Sequence, residues 1–540
     1  MKIGKVLFLC FFLFLCFKSS FSQVWPKTYF ANECTVPFSV VECYDKGYLI
    51  GGWYLTADGF PLNGLLLKTD LNGEMLWNKM IGEPNDGTAL QDVNQTNDNG
   101  FIISGSTKQT DSWGDPFIMK LNSCGEKEWC RIYNIGQGRA DAANSIHQIP
   151  GGYIMYVFEG YQYYSNEKTH LFRLNNNGDL VWQQTYCQKD TLMIAADGYD
   201  MTVTPDYHFL INGFCYYPDS GTTGPRYLRP LIIKVDSTGN AVWELPWNYL
   251  SGEHFYGMSN RSIVDNQQNI YSCGRHIEDE ATPPGDRPTM LKTDSSGKEL
   301  SYHDLVPNSW QAVFFNINWF QDSTIAIDGG WILNPGGEGQ VGVFKVDKDG
   351  NILDSANIMK TVYCFSDAIV DHDNKLFLVQ GQYFGNQWHT YSWKLNSDLE
   401  YDTLYTHPYV YDSLCPHPIV SDTIPLDCII VGIDEPFKNP ETGKLKVYPN
   451  PVRDILHIVI PEKLKSEKQN PVFNLTTVYH QWHSATLEIY DLFGRKMLSK
   501  EVLQSEKEVA VDVSLWPGGM YVVRLVYNGQ TVGSGKVMVE

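Results

Sequence analysis

LLLKTDLNGEMLW, from Leu65 to Trp77, reads as two strands around one tight turn, and copies of it return six more times before about residue 405. LLLKT is apolar and strand-like. D-L-N-G places Asp at the first and Gly at the fourth position of a type I turn, and EMLW starts the returning strand. The copies are FIMKLNSCGEKEW, HLFRLNNNGDLVW, LIIKVDSTGNAVW, TMLKTDSSGKEL, GVFKVDKDGNIL and the degenerate YSWKLNSDLEYDTL. Their basic residues, Lys68, Lys120, Arg173, Lys234, Lys292, Lys345 and Lys394, recur at intervals of 49 to 61 residues. That period is too long for a helical solenoid and suits a four-stranded propeller blade with generous loops.

A second strand signal precedes each copy, as in GYLIGG at Gly47, GFIISGS at Gly100 and KLFLVQG at Lys375, and another short strand and turn lie ahead of that. Each period therefore holds four strands in hairpin order, and seven periods imply an all-β, seven-bladed β-propeller over residues 23–405. Near-continuous apolar runs such as LLL, FII and LII agree with strands covered on both faces. The recurring Trp77, Trp129, Trp182 and Trp243 read as packing between blades, with cofactor stacking as the alternative. DKDGN at Asp347 resembles the start of a calcium loop, but the full ligand set ending in Glu is missing, so a plain turn is expected. The recurring Lys/Arg is read as a paired or snorkelling structural residue.

Met1 to Ser22 pairs Lys2 and Lys5 with an apolar run from Val6 to Phe17 and small residues before Gln23, the pattern of a cleavable secretory signal. The run is too short to span a bilayer, and no other stretch qualifies as transmembrane. Trp25-Pro-Lys-Thr-Tyr-Phe lies in the register of a fourth strand with no blade before it, so it is expected to complete the last blade and close the ring. With 41 basic against 62 acidic residues the net charge is -21, which argues against nucleic acid or anionic membranes as partners. Ten of the 12 Cys remain after the signal, an even number compatible with disulfides in an oxidising compartment. The local spacings favour Cys34 with Cys43, Cys124 with Cys130 and Cys415 with Cys428.

Loops joining second to third strands share one propeller face with the loops joining blades, and there lengths vary most. These loops carry aromatic residues, Tyr161, Tyr163, Tyr164, Tyr216, Tyr217 and Trp388 foremost, with Trp53, Trp331 and Tyr383, among carboxylates such as Glu159 and Asp286. Rings supply stacking area and carboxylates orient hydroxyls or cations, so this face is the candidate site for a glycan or protein ligand. The bland reading is that Tyr-rich loops pack on themselves. Catalytic patterns are thin: there is no GxSxG elbow, HExxH helix or complete phosphate loop. His254 and His276 are the only histidines that draw attention. No metal or cofactor is expected.

Residues 406–440 are Pro-, Asp- and Tyr-rich and read as a linker enclosing the Cys415/Cys428 pair. Alternating strands then suggest a small β-sandwich over 441–540. This segment resembles the C-terminal sorting domain of proteins exported by the type IX secretion system of Bacteroidota. Tyr448-Pro449-Asn450-Pro451 matches its opening motif, Asp491, Gly494 and Arg495 its D-x-x-G-[KR] turn, Gly518, Tyr521 and Arg524 its PxGxY-x-[VI]-R strand, and Lys536 its closing strand. The insertion Pro461 to Ser484 is longer than that pattern has.

The resemblance implies passage through the type IX translocon, removal of the domain by a sortase-like peptidase, and a cargo released or attached at the outer-membrane surface. The cargo repeats also resemble the tryptophan motif of quinoprotein propellers. Three functions compete: a binding module for an extracellular glycan or protein; an enzyme acting on polysaccharide or a quinone-dependent dehydrogenase; and a structural surface component.

Overall fold

The computed structural model describes residues 25–31, 33–55, 61–83, 86–108, 114–135, 140–160, 167–187, 196–218, 226–246, 256–278, 285–321, 323–360, 364–384, 387–432, 443–460, 484–491, 495–503, 506–527 and 530–540. The signal-like segment and Tyr161, Tyr163, Tyr164, His254 and Gly494 lie outside them. All regular elements among the described residues are strands, and no helix there is long and apolar enough to cross a membrane.

Seven antiparallel sheets follow one another along the chain, one per repeat, and form a β-propeller. Blade 1 comprises Thr35–Glu42, Tyr48–Leu55, Pro61–Thr69 and Met75–Ile81; blade 2, Ala89–Gln95, Phe101–Thr107, Asp115–Leu121 and Lys127–Asn134. Blade 3 comprises Ala140–Ile149, Gly152–Gly160, Lys168–Leu174 and Leu180–Tyr186; blade 4, Ala196–Val203, Phe209–Pro218, Arg226–Val235 and Ala241–Pro246. Blade 5 comprises Tyr256–Val264, Ile270–Glu278, Gly285–Thr293 and Glu299–Asp304; blade 6, Gln311–Phe320, Thr324–Ile332, Gly339–Asp347 and Ile352–Lys360. Blade 7 has Cys364–Val370, Leu376–Phe384 and Gln387–Leu395, and its outer strand is Lys27–Tyr29 from the start of the chain. First strands of neighbouring blades touch, including those of blades 1 and 7, so they line the axis and the ring is closed.

The strands explain their own sequence patterns. Asp115–Leu121 is buried throughout because it lies between two strands and under neighbouring blades. The outer strand Met75–Ile81 alternates, exposing Met75 and Leu76 and burying Trp77. In all seven third-to-fourth-strand turns, the first residue's Oδ1 accepts the N–H groups two and four positions on. Asp70 does so from Asn72 and Glu74, and Asp347 from Asp349 and Asn351. Asn122, Asn175, Asp236, Asp294 and Asn396 repeat it. This is why only Asp or Asn occupies that position, and it assigns DKDGN the turn role.

The turn glycine serves the next contact. Six copies have Gly there with φ between 69° and 89°, and the degenerate copy has Leu399 at 55°. A Cβ at Gly125 would meet Trp77, one at Gly178 Trp129 and one at Gly239 Trp182, each Trp coming from the preceding blade. A Cβ at Gly73 likewise would meet Trp25, and four residues after Trp25, Trp129 and Trp182 a tyrosine completes the clamp: Tyr29, Tyr133 and Tyr186 donate to the carbonyls of Gly73, Gly178 and Gly239 at 2.7, 2.6 and 3.0 Å. The recurring lysine is also structural. Lys68, Lys120 and Lys394 pair with Asp45, Asp98 and Asp371 at 2.7, 2.9 and 2.9 Å, carboxylates from the first-to-second-strand turn of the same blade.

The segment after blade 7 corrects the sequence expectation. Residues 402–432 are a strap that runs back over blades 1 and 2. Tyr405 and Asn72 exchange two hydrogen bonds, Leu71 N–H donates to the Tyr411 hydroxyl, and Asp412 N–H donates to Asp45. Asp422–Ile424 then adds a parallel fifth strand to blade 1, and Ile429–Gly432 one to blade 2. The disulfides are Cys124–Cys415 and Cys130–Cys428, with Cα separations of 5.5 and 4.8 Å. The three expected local pairs do not form. Cys34 and Cys43 are free thiols at opposite ends of the extended strand Thr35–Glu42, so roughly 25–30 Å of backbone lies between them. Cys130 stands in the outer strand opposite Met119, away from the turn that carries Cys124. Each instead faces the passing strap. Burial among apolar side chains pushes the Cys43 thiol up to about 12.

The C-terminal unit is a separate sandwich. One sheet orders Gly443–Lys444, Gln530–Val539, Gly519–Tyr527, Ser484–Asp491 and Lys496–Leu503; the other, Lys446–Tyr448, Ile455–Val459 and Glu508–Asp512. Leu456, Ile458, Leu487, Ile489, Val523 and Leu525 fill its core.

Candidate functional site

The first strand of five blades carries a β-bulge at one equivalent place: between Pro37 and Ser39, Leu90 and Asp92, Gly198 and Asp200, Ser259 and Arg261, and Phe314 and Asn316. A bulge re-aims the side chain that follows it. These bulges put Ser39, Asp92, Asp200, Arg261 and Asn316 at matching positions on the strands around the axis.

Neighbouring first strands are tied by these polar groups. Asp92 accepts from Ser39 Oγ at 2.9 Å and from Ile146 N–H at 2.9 Å, joining blades 1, 2 and 3. Asn94 donates to the Ile146 carbonyl, Thr202 to that of Ser262 and Asn318 to that of Ala368. Arg261 of blade 5 reaches further. Its Nε donates to Asp200 of blade 4 at 2.6 Å and its Nη1 to Asp367 of blade 7 at 2.7 Å, passing in front of blade 6. Burial opposes the charge on Arg261, but Asp200 and Asp367 outweigh it and hold the guanidinium pKa well above its ordinary value. Burial raises the pKa of Asp367, partly offset by Arg261 and the Val40 N–H. Chemically the arrangement is a pin across the axis.

Long connections gather at one end of the ring. The tight turns lie at the other, while second-to-third-strand connections range from 385–386 in blade 7 to 219–225 in blade 4. Tyr216 and Tyr217 lie near the loop end of Phe209–Pro218, paired with Leu228 and Tyr227, and Tyr216 packs edge-on against Phe214. Trp388 is in blade 7, opposite Tyr383, with ring centroids 5.5 Å apart and Tyr383 45% exposed. Blades 5 and 6 separate these two groups, so the structure does not bring them into one cluster. Trp53 and Trp331 are packing residues whose indoles donate to the Leu90 carbonyl and to Gln340. His276 sits within 3.4 Å of Asp304 and 2.9 Å of the Tyr302 hydroxyl, inside blade 5.

Sequence reading missed Arg261 and the tyrosine clamp. A Tyr four residues beyond the Trp was a readable signal for the clamp, whereas a lone Arg in a first strand announces nothing.

In the C-terminal unit, Tyr448 stacks on His457 at 5.3 Å and donates to Glu508. Both Tyr448-Pro449 and Asn450-Pro451 are cis, and Asn450 bonds the Lys536 carbonyl and Met538 N–H. Asp491 accepts from the Arg495 backbone and guanidinium at 2.9 Å. Tyr521 donates to the Pro517 carbonyl, and Arg524 lies over the Tyr490 ring. Gly518 precedes the strand Gly519–Tyr527.

Comparison with known proteins places these features. A search of curated proteins finds no match. Among solved structures, a protein of unknown function from Bacteroides caccae has 13% identity and a TM-score of 0.32, covering 50% of this chain and 82% of its own. An ACO/RPE65 chimera has 12% identity and a TM-score of 0.37 over 70% and 91%. A GH32 β-fructofuranosidase from Bombyx mori has 8% identity and a TM-score of 0.27 over 72% and 84%. Likenesses this distant transfer no activity. Residues 446–540 match the family described as the secretion system C-terminal sorting domain. The C-terminal unit thus carries a sorting domain of that family, which marks the chain for export to the cell surface or beyond.

Proposed function

We propose that the chain is an extracellular binding module whose propeller presents its loop face to a glycan or protein ligand. One observation carries this reading. Connections of up to nine residues leave the ring at one end, while the other end holds turns of two to five residues, the inter-blade tryptophan clamps and the strap. A rigid scaffold with variable loops on one face is how binding surfaces are built and diversified. Tyr216 and Trp388 lie on strands next to that end, and the reading extends to Tyr217, Tyr161, Tyr163 and Tyr164 from the sequence alone. Delivery runs through the type IX translocon. A sortase-like peptidase then separates the sorting domain, whose motif residues Tyr448 to Pro451, Asp491, Gly494, Arg495, Gly518, Tyr521, Arg524 and Lys536 are the recognised element.

The test has two arms. Removal of 446–540 is expected to leave the chain in the periplasm, and unchanged surface delivery would refute the sorting role. The full chain, screened against glycans and secreted proteins, is expected to bind a member of one class, and Tyr216→Ala/Trp388→Ala to weaken that binding without lowering stability.

A further inference from the structure

The strap carries more than packing. Seven of its large side chains are exposed, from Tyr405 at 42% through Val410 at 72% to Ile430 at 58%. Within it, Tyr405, His407, Tyr409 and Tyr411 occupy every second position of a segment that bends at His407. The bend brings the rings together, with centroids 5.7 Å apart for Tyr405–His407, 6.0 Å for Tyr405–Tyr409 and 5.1 Å for Tyr409–Tyr411. Tyr405 and Tyr409 are 42% and 39% exposed.

We propose that this strip is a second ligand site, one that takes an uncharged glycan chain. Its chemistry selects the class. Thr403-Leu404-Tyr405-Thr406-His407-Pro408-Tyr409-Val410-Tyr411 contains no acidic residue and no Lys or Arg, in a chain of net charge -21. Rings and hydroxyls without fixed charge suit a neutral, polyhydroxylated polymer, whose C–H faces stack on rings and whose hydroxyls bond at their edges. The site is also preorganised. Asn72 fixes the Tyr405 backbone from both sides, Leu71 holds the Tyr411 hydroxyl, and Cys124–Cys415 anchors the segment just beyond. Rigid aromatic contacts lose little rotamer freedom on binding. The strip lies over the tight turns of blade 1, so it stands apart from the loop face and does not depend on the reading of that face.

The test is affinity electrophoresis of the full chain in gels containing soluble neutral polysaccharides: a mixed-linkage glucan, a galactomannan and an α-mannan. At least one is expected to retard the wild type. Tyr405→Ala/Tyr409→Ala should weaken that retardation at least tenfold, with both disulfides intact and an unchanged unfolding midpoint. Tyr405→Phe/Tyr409→Phe, which keeps the rings, should stay within a few-fold of wild type and supplies the comparison if the alanine variant misfolds. The proposal is overturned if no polysaccharide retards the wild type or if the folded alanine variant is retarded equally. It also fails if the phenylalanine variant loses all retardation, or if the strip captures a polypeptide in place of a glycan.

Discussion

Removing the strap's disulfides one at a time and together should give strongly non-additive losses. Cys124–Cys415 closes a loop of 291 residues and Cys130–Cys428 one of 298. On the chain-entropy account, either bridge alone restrains the unfolded state by about 5–6 kcal/mol. Once one bridge is present, the other closes only the short circuit through 124–130 and 415–428, a loop of about 20 residues worth about 3 kcal/mol. Cys124→Ser/Cys415→Ser and Cys130→Ser/Cys428→Ser should therefore each cost about 3 kcal/mol, and the fourfold variant about 8–9 kcal/mol as an upper bound. Equilibrium denaturation of the oxidised full chain, followed by tryptophan fluorescence, would measure this through the midpoint and its slope. Two single-bridge losses that add up to the fourfold loss would refute the reasoning. So would a fourfold variant as stable as the wild type, because the strap would then add nothing once uncoupled.

Leu399 tests a conflict between backbone and core. Its left-handed φ costs about 1–2 kcal/mol, but its side chain is buried against Trp393 and Leu395, and losing a buried leucine costs about 2–5 kcal/mol. Leu399→Gly should destabilise by about 1–3 kcal/mol, and a stabilised variant in the same denaturation assay would contradict this. Arg261→Met should cost about 3–5 kcal/mol at neutral pH by leaving Asp200 and Asp367 unpaired. Because Asp367 is already raised by burial, that loss should be absent below its unfolded pKa and grow as pH rises; a pH-independent loss would contradict the pin. Asp236 and Asp347 have lowered pKa values, burial being outweighed by the turn hydrogen bonds. Their stabilisation is present above the unfolded carboxylate pKa and lost as pH falls through the folded one. Asp236→Asn/Asp347→Asn should flatten the acid limb of the stability profile, and an unchanged limb would count against it.

What was legible in the sequence was local. The turn Asp or Asn, the turn Gly and the Trp beyond it lie within eight residues of one another, and the propeller follows from their repetition. Closure by Trp25 to Phe30 was readable because that stretch keeps the blade register. The disulfides were not legible because short spacing is not proximity: nine residues along an extended strand carry Cys34 far from Cys43. The strap was hidden for a related reason: its fifth strands pair with sequence some 300 residues away, and short parallel edge strands leave little periodicity. Arg261 and its two carboxylates come from three blades, a coincidence only the closed ring creates. Of the candidate site, aromatic residues near the loop face were legible, but not that two whole blades stand between Tyr216 and Trp388.

The most direct test of the loop-face account is ligand binding by the exported full chain, compared with Tyr216→Ala/Trp388→Ala at matched stability. The account predicts a ligand among glycans or secreted proteins whose affinity falls at least tenfold in the variant while the denaturation midpoint holds. Equal affinity in the two proteins, or a ligand lost only when the midpoint falls as well, would contradict it.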